Sequence, residues 1–174
     1  MGIKPIRIEG NIAFVTLSLG YESVIDAEDA YKVEGFNWTA RVKMSRLGAG
    51  PTKIYAYRQK AKADGGGVEL MHRMLAGTPD GLFTDHINGD GLDNRKCNLR
   101  FATVTQNNRN CKRPIQNTSG IKGVDWRESK GKWRAQIKVN NRSLHLGYFD
   151  SAEDAAEAYA AGSRTFHGEF GRTV

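Results

Sequence analysis

Nothing in this chain is suited to spanning a membrane as a helix. No apolar run approaches the roughly 18 residues that such a helix needs, and the mean hydropathy is −0.55. The opening MGIKPIRIEG has no apolar core of the signal-peptide kind, and Ile6 stands where an N-myristoylation pattern requires Ser or Thr. Cysteine is scarce too. Cys97 and Cys111 form no C-x-x-C pair, which excludes the usual structural zinc spacing and a disulfide framework. A soluble, cytoplasmic protein with reduced thiols is the expectation. Acidic charge is the third shortage. Lys and Arg outnumber Asp and Glu by 26 to 19, for a net charge of +7. Such a surface suits an anionic partner, and nucleic acid is the commonest one for a small basic protein. A basic surface kept for solubility is the plainer alternative. With 174 residues, 39% of them hydrophobic, the chain can build one or two small domains.

Strand patterns come first along the chain. Two β-rich runs, around Ile6–Ile8 and Ile12–Leu19, flank a Gly-Asn turn and predict a hairpin. Residues 26–33 predict a short helix or turn. Residues 36–44 and 53–61 predict strands separated by a Gly-Ala-Gly-Pro loop. VELMHRMLAG (68–77) finishes a strand and opens a short helix that stops at Gly77, and residues 103–113 predict a polar helix. RPIQNTSG (113–120) has linker composition. Beyond it, GKWRAQIKV (131–139) alternates strictly, with Trp133, Ala135, Ile137 and Val139 on one face and Lys132, Arg134, Gln136 and Lys138 on the other. Asn140-Asn141 predicts a turn and 142–149 the next strand, with Leu144, Leu146 and Tyr148 of one parity. A helix follows. Ser151 and Asp154 resemble a capping box, acidic residues crowd the first turns, and Ala155, Ala156 and Tyr159 form the inner face.

The densest chemistry lies in DHINGDGLDNRKCNLR, residues 85–100. A calcium loop fails in either register, because Ile87 or Leu92 falls on a ligand position and no Glu stands twelve residues on. Phosphodiester hydrolysis makes other demands. A base must take a proton from water, a divalent cation must offset charge on the transition state, and a third group must orient the base. Asp85 and His86 are adjacent, and at a kinked strand end they can flank one phosphate. Asn98 returns to His86 only if the chain doubles back, which the Asn-Gly and Asp-Gly turns allow.

The stretch through Asn108, DHINGDGLDNRKCNLRFATVTQNN, resembles the catalytic loop of the His-Asn-His (HNH) nucleases of ββα-metal fold, in their phage and intron homing-endonuclease form. The resemblance implies that His86 is the general base and that Asn98 hydrogen-bonds the His86 ring or backbone and fixes its orientation. It implies that Asp85 and Asn107 bind one divalent cation. Many members have His where this chain has Asn107, and Asn108 or Asn110 replaces Asn107 if the helix register differs. An oxygen donor set of this kind favours magnesium or manganese over zinc. His72 has two readings. His-Arg pairs precede the catalytic loop in this group, but a His that packs or caps a helix start is the more ordinary explanation of the residue.

Charge is polarised in the C-terminal part. Between Lys112 and Arg142 stand nine basic and two acidic residues, and beyond Ser143 the balance reverses. In a three-stranded sheet backed by a helix, the open face is then basic. An ordinary solvated face shows the same alternation, but the concentration of cations favours DNA. GVDWRESKGKWRAQI, HLGYFDSAEDAAEAY and HGEF resemble the ethylene-response-factor (plant Apetala-type) DNA-binding domain over residues 119–174. That resemblance implies a three-stranded sheet in the major groove, with Arg127, Lys130, Arg134, Gln136, Lys138 and His145 meeting bases and phosphates and Trp126 beside the groove. Asp125 and His145 depart from the Arg and Trp common in plant members, so the plant target sequence does not carry over.

The reading is an α+β protein in three parts. Residues 1–111 form a β-rich support and an HNH nuclease domain, 112–118 a linker, and 119–174 a small antiparallel sheet packed on one helix. The expected function is metal-dependent nicking of double-stranded DNA by a monomer with no protein partner implied, in the host cytoplasm if phage-encoded. The rival is a non-catalytic DNA-binding regulator that keeps the nuclease fold. An RNA-binding module fits less well, because few exposed aromatics are available to stack on single strands.

Overall fold

Arg7–Glu9 (β1) and Ile12–Thr16 (β2) pair in the expected hairpin. Gly10 at its turn takes a φ of 59°, a left-handed conformation that costs glycine little. The structure, a computed structural model, describes residues 3–44, 51–110, 117 and 119–173. Glu22–Asp26 (β3) adds a third strand that the apolar pattern did not announce. Its two buried positions are Ser23 and Ile25, and the hydroxyl of Ser23 hides the alternation. A short helix, Ala30–Val33 (α1), leads to a second antiparallel sheet of Thr39–Met44 (β4), Pro51–Gln59 (β5) and Val68–Leu70 (β6). Most of the expected loop between β4 and β5 lies outside the described residues.

Met71–Ala76 (α2) follows β6 directly and stops where Gly77 takes a φ of 60° and donates back to the carbonyls of the last turn. Leu17, Ile25, Val33, Trp38, Met71 and Leu75 belong to one core fed by both sheets and both helices. Phe83–His86 (β7) and Leu99–Ala102 (β8) form a separate antiparallel pair. Val104–Arg109 (α3) is the polar helix expected from the sequence.

The chain divides into two compact units, Met1–Val104 and Thr105–Val174. The division falls just inside α3, earlier than the expected boundary at 111/112. The expected linker 112–118 lies outside the described residues except for Asn117.

In the second unit Val124–Arg127 (β9), Lys132–Val139 (β10) and Arg142–Phe149 (β11) form an antiparallel sheet in the order β11-β10-β9. Asn140 and Asn141 both take positive φ, 48° and 63°, as a two-residue hairpin turn requires. Ala152–His167 (α4) packs on one face of the sheet, and the Ser151 side chain accepts from the Asp154 amide at 3.0 Å. Ala155, Tyr159, Val124, Ala135 and Ile137 make the core of this unit. The α+β class with a small C-terminal antiparallel sheet and one helix is as expected.

One register differs from simple alternation. Ala135 pairs with Gly147, but Gln136 pairs with His145, so Leu146 is the extra residue of a bulge. Leu146 turns into the core, where its Cδ1 fits against Gly162 of α4. Tyr148 pairs with Arg134 and His145 with Gln136. Both rings therefore stand on the open face, in mutual contact at 4.6 Å between centroids.

Candidate active site

The β7–β8 pair brings Asp85 opposite Arg100 and His86 opposite Leu99. Arg100 donates from Nε and Nη2 to Asp85 Oδ2, at 2.9 and 2.8 Å. Asp85 is buried, and this fork fixes its carboxylate. Alternation sends the neighbouring His86 to the other side of the strand. There its ring lies 4.9 Å from the His72 ring and 6.0 Å from the Tyr55 ring, centroid to centroid. His72 and Tyr55 are themselves 5.4 Å apart, so the three rings form one cluster.

The loop between β7 and β8 doubles back as the turn residues imply. Asn98 closes it. Its Oδ1 accepts from the Asn88 amide at 2.9 Å, and its Nδ2 donates to Asn88 Oδ1 at 3.0 Å and to the Asp93 carbonyl at 2.7 Å. Its backbone carbonyl accepts from Ile87 at 2.9 Å. Asn88 Oδ1 and Asp90 Oδ1 cap the turns inside the loop, accepting from the amides of Asp90 and Leu92. Arg95 forks onto Asp93 at 2.7 Å for each bond, which holds the Asp93 carboxyl below its ordinary range.

The expected bond from Asn98 to the His86 ring or backbone is replaced. The side chain of Asn98 is committed to the loop, and Asn94 meets the ring instead. The pattern of donors assigns the tautomer. Ser23 donates its hydroxyl proton to the Leu92 carbonyl at 3.0 Å and accepts from Asn94 Nδ2 at 2.7 Å. Asn94 Oδ1 therefore faces His86 Nε2, at 2.8 Å. Since that oxygen only accepts, Nε2 carries the proton and Nδ1 carries the lone pair. Asn94 is anchored further by its amide, which donates to the Val24 carbonyl at 2.7 Å. This explains the polar Ser23 in the core of β3. Gly91 seats the loop on the cluster, because a Cβ there would run into the Tyr55 ring and the Ile54 carbonyl.

Burial pushes the His86 imidazole below its ordinary value of 6.5, against the opposing pull of the Asn94 hydrogen bond and the carboxylates of Asp85, Asp90 and Asp93. His72 is pushed further, to about 3, by burial and by the neighbouring His86 and Arg73. Its Nδ1 is buried with no hydrogen-bond partner among the described residues. Both histidines thus fold in the neutral form, whereas in the unfolded chain they protonate as pH falls through 6.5. Below that pH the unfolded state binds more protons and stability drops, by about 1.4 kcal/mol per pH unit for each proton of difference. Above pH 6.5 the effect vanishes. Urea melts between pH 7 and pH 4.5 are expected to show this loss, and His72→Phe to reduce its slope by about one proton. An unchanged slope in that variant would mean that His72 does not fold neutral.

Asp85, His86 and Asn98 come together within the first unit. Asn107 lies on α3 and belongs to the second unit, as do the alternatives Asn108 and Asn110. Arg73, the neighbour of His72, donates to the Leu82 carbonyl at 2.9 Å, which ties α2 to the turn before β7.

On the sheet of the second unit, the β9–β10 register pairs Arg134 with Asp125 and Lys132 with Arg127. These residues, with Gln136, Lys138, His145 and Tyr148, share the face away from α4. Lys130 sits in the turn after β9. Trp126 is displaced from its expected place beside the groove. It pairs with Trp133, which packs into the core, and the two rings meet edge to face at 5.3 Å. Strand parity thus puts Trp126 on the helix side of the sheet.

These features define a protein with an Asp-His-Asn loop on a β-rich unit and a sheet-and-helix module with a basic open face. Residues 119–165 match the AP2 domain family model, so the second unit contains an AP2 DNA-binding domain. Protein 3.8 of Escherichia phage T7 is 32% identical over 117 residues, which cover 67% of this chain and 96% of that protein. The chain belongs to the same family as Protein 3.8. An uncharacterized HNH endonuclease of Acanthamoeba polyphaga mimivirus is 29% identical over 92 residues, or 53% of this chain, and the match spans about half of that relative, 46%. No solved structure matches. No helix among the described residues is long and apolar enough to cross a membrane.

Proposed function

We propose that the chain is an HNH endonuclease that hydrolyses a phosphodiester bond of duplex DNA, with the AP2 domain holding the duplex. The observation that carries this reading is the His86 network. A buried neutral imidazole donates from Nε2 to Asn94, so its basic nitrogen is Nδ1. The similarity to a viral protein named as an HNH endonuclease supports the same reading.

In the proposed reaction His86 Nδ1 takes a proton from the attacking water. Asn94 and Ser23 hold the tautomer, and Asn98 holds the loop that carries His86. Asp85 and Asn107 offer hard oxygen donors, a carboxylate and an amide carbonyl. Among the described residues no three His, Cys, Asp or Glu side chains gather as a metal cluster. As hard oxygen donors, Asp85 and Asn107 suit magnesium or manganese over zinc, with further oxygens to come from water and phosphate. When bound, such an ion would offset charge on the phosphorane-like transition state and the leaving oxygen.

One base in one chain cuts one strand per engagement. Purified protein is therefore expected to turn supercoiled plasmid into the nicked form in magnesium, and a chelator to stop it. Supercoiled DNA left intact by protein that still shifts the same plasmid on a gel would favour the non-catalytic regulator instead.

A further inference from the structure

Asp125 is the only acidic residue in the three strands of the AP2 sheet, and it stands on the basic open face. A carboxylate there repels DNA phosphates, so its presence calls for a physical reason. Its contacts supply one. Asp125 Oδ1 accepts from Arg134 Nε at 3.1 Å and Nη2 at 2.9 Å. Its Oδ2 lies 2.8 Å from Arg127 Nε. One carboxylate thus takes a two-bond fork from the guanidinium directly opposite on β10 and an ion pair from Arg127 on its own strand, whose Nε makes no hydrogen bond among the described residues. Ion pairs open to solvent add little to stability, and Arg127 and Asp125 keep 42% and 35% of their side-chain surface exposed, so folding alone does not account for the arrangement.

Geometry does. Arg has five N–H donors in a planar fork. Asp125 accepts on the Nε side of Arg134 and faces Arg127 near its Nε as an ion pair. The end-on edge, made by Nη1 and the outer hydrogen of Nη2, stays outside the clamp in Arg134, and both Nη groups do so in Arg127. That edge matches the two acceptors of guanine, O6 and N7, in the major groove. An unclamped arginine can instead swing to a phosphate, which carries no sequence information.

We propose that Asp125 is a specificity-determining residue, which holds Arg127 and Arg134 in the pose that reads guanine and denies them to phosphates. This rests on the DNA-binding reading of the AP2 sheet and adds a sequence preference to it: guanines in the base pairs beneath β9 and β10.

The test uses the full chain with His86→Ala, so that bound DNA is not cut. Wild-type, Asp125→Ala and Asp125→Glu versions are each used to select duplexes from a random pool, and their affinities for the selected site and a scrambled duplex are measured at one salt concentration. The Asp125 version is expected to select a site with at least two fixed guanines. Asp125→Ala is expected to bind the scrambled duplex several-fold tighter, since a negative charge is gone, and to discriminate at least tenfold less. Asp125→Glu should recover part of the discrimination. Circular dichroism melts check that the sheet persists in each. Equal discrimination in Asp125→Ala, or a selected site without guanine, overturns the proposal while leaving DNA binding intact. If the Asp125 version binds no duplex at all, the DNA-binding reading falls with it.

Discussion

His86→Ala is expected to reduce magnesium-dependent nicking of supercoiled plasmid by about a thousandfold, within the range that general bases contribute, and to leave gel-shift affinity within about twofold. The effect should be large because no neighbour can substitute. His72 is also an imidazole 4.9 Å away, but with its value near 3 it is a poor proton acceptor at neutral pH. Asp85 projects from the opposite side of the strand and is held by Arg100. Binding should survive because the substitution lies in the first unit, outside the AP2 domain. Loss of both activities would point to unfolding, which a melt would reveal. Undiminished cleavage would remove His86 from the mechanism and with it the assignment of the loop. Imidazole added to the His86→Ala protein offers a further check, since a missing base can be partly replaced from solution.

Much of this site was legible because its parts are local. Asp85, His86 and Asn98 fall within fourteen residues, and the Gly-containing turns between them announce the reversal that Asn98 then closes. Asn94 lay in plain view in the same stretch. Its role stayed hidden because it depends on Ser23, 71 residues away, and a lone Ser in a short strand carries no signal of a partner. The same Ser concealed β3, since a polar residue at a buried position breaks the alternation by which strands are recognised. Arg100 was legible as a charge, but its fork on Asp85 requires the β7–β8 register. In the second unit β10 was plain because nothing interrupts its period of two. The bounds of β11 were equally plain, but the facing of its last residues was not, because the bulge at Leu146 flips the parity beyond it and brings Tyr148 out beside His145. Trp126 was misplaced for a related reason. An exposed aromatic on a basic strand invites a groove contact, whereas its parity with Val124 and its pairing with Trp133 turn it to the helix side.

Replacing Arg134 and Lys138 together by Ala is expected to weaken duplex binding by roughly a hundredfold at physiological salt, each basic contact counting for about a factor of ten. The two residues share the open face of β10 but differ in kind. Arg134 is clamped by Asp125, and Lys138 is a flexible point charge suited to phosphate. The salt dependence separates them. Each phosphate contact adds about 0.9 to the magnitude of the slope of log K against log salt. Lys138→Ala alone should therefore flatten the slope by about one and weaken all sequences alike. Arg134→Ala alone should change the slope less and cost more on guanine-containing sites than on scrambled ones. The Arg134 variant also leaves Asp125 with one cation instead of two, so some of its loss is repulsion exposed by the substitution. Adding Asp125→Ala to Arg134→Ala should restore that part on scrambled DNA and none of it on the selected site. Identical salt slopes and identical sequence profiles for the two single variants would mean that the sheet holds DNA only by its charge.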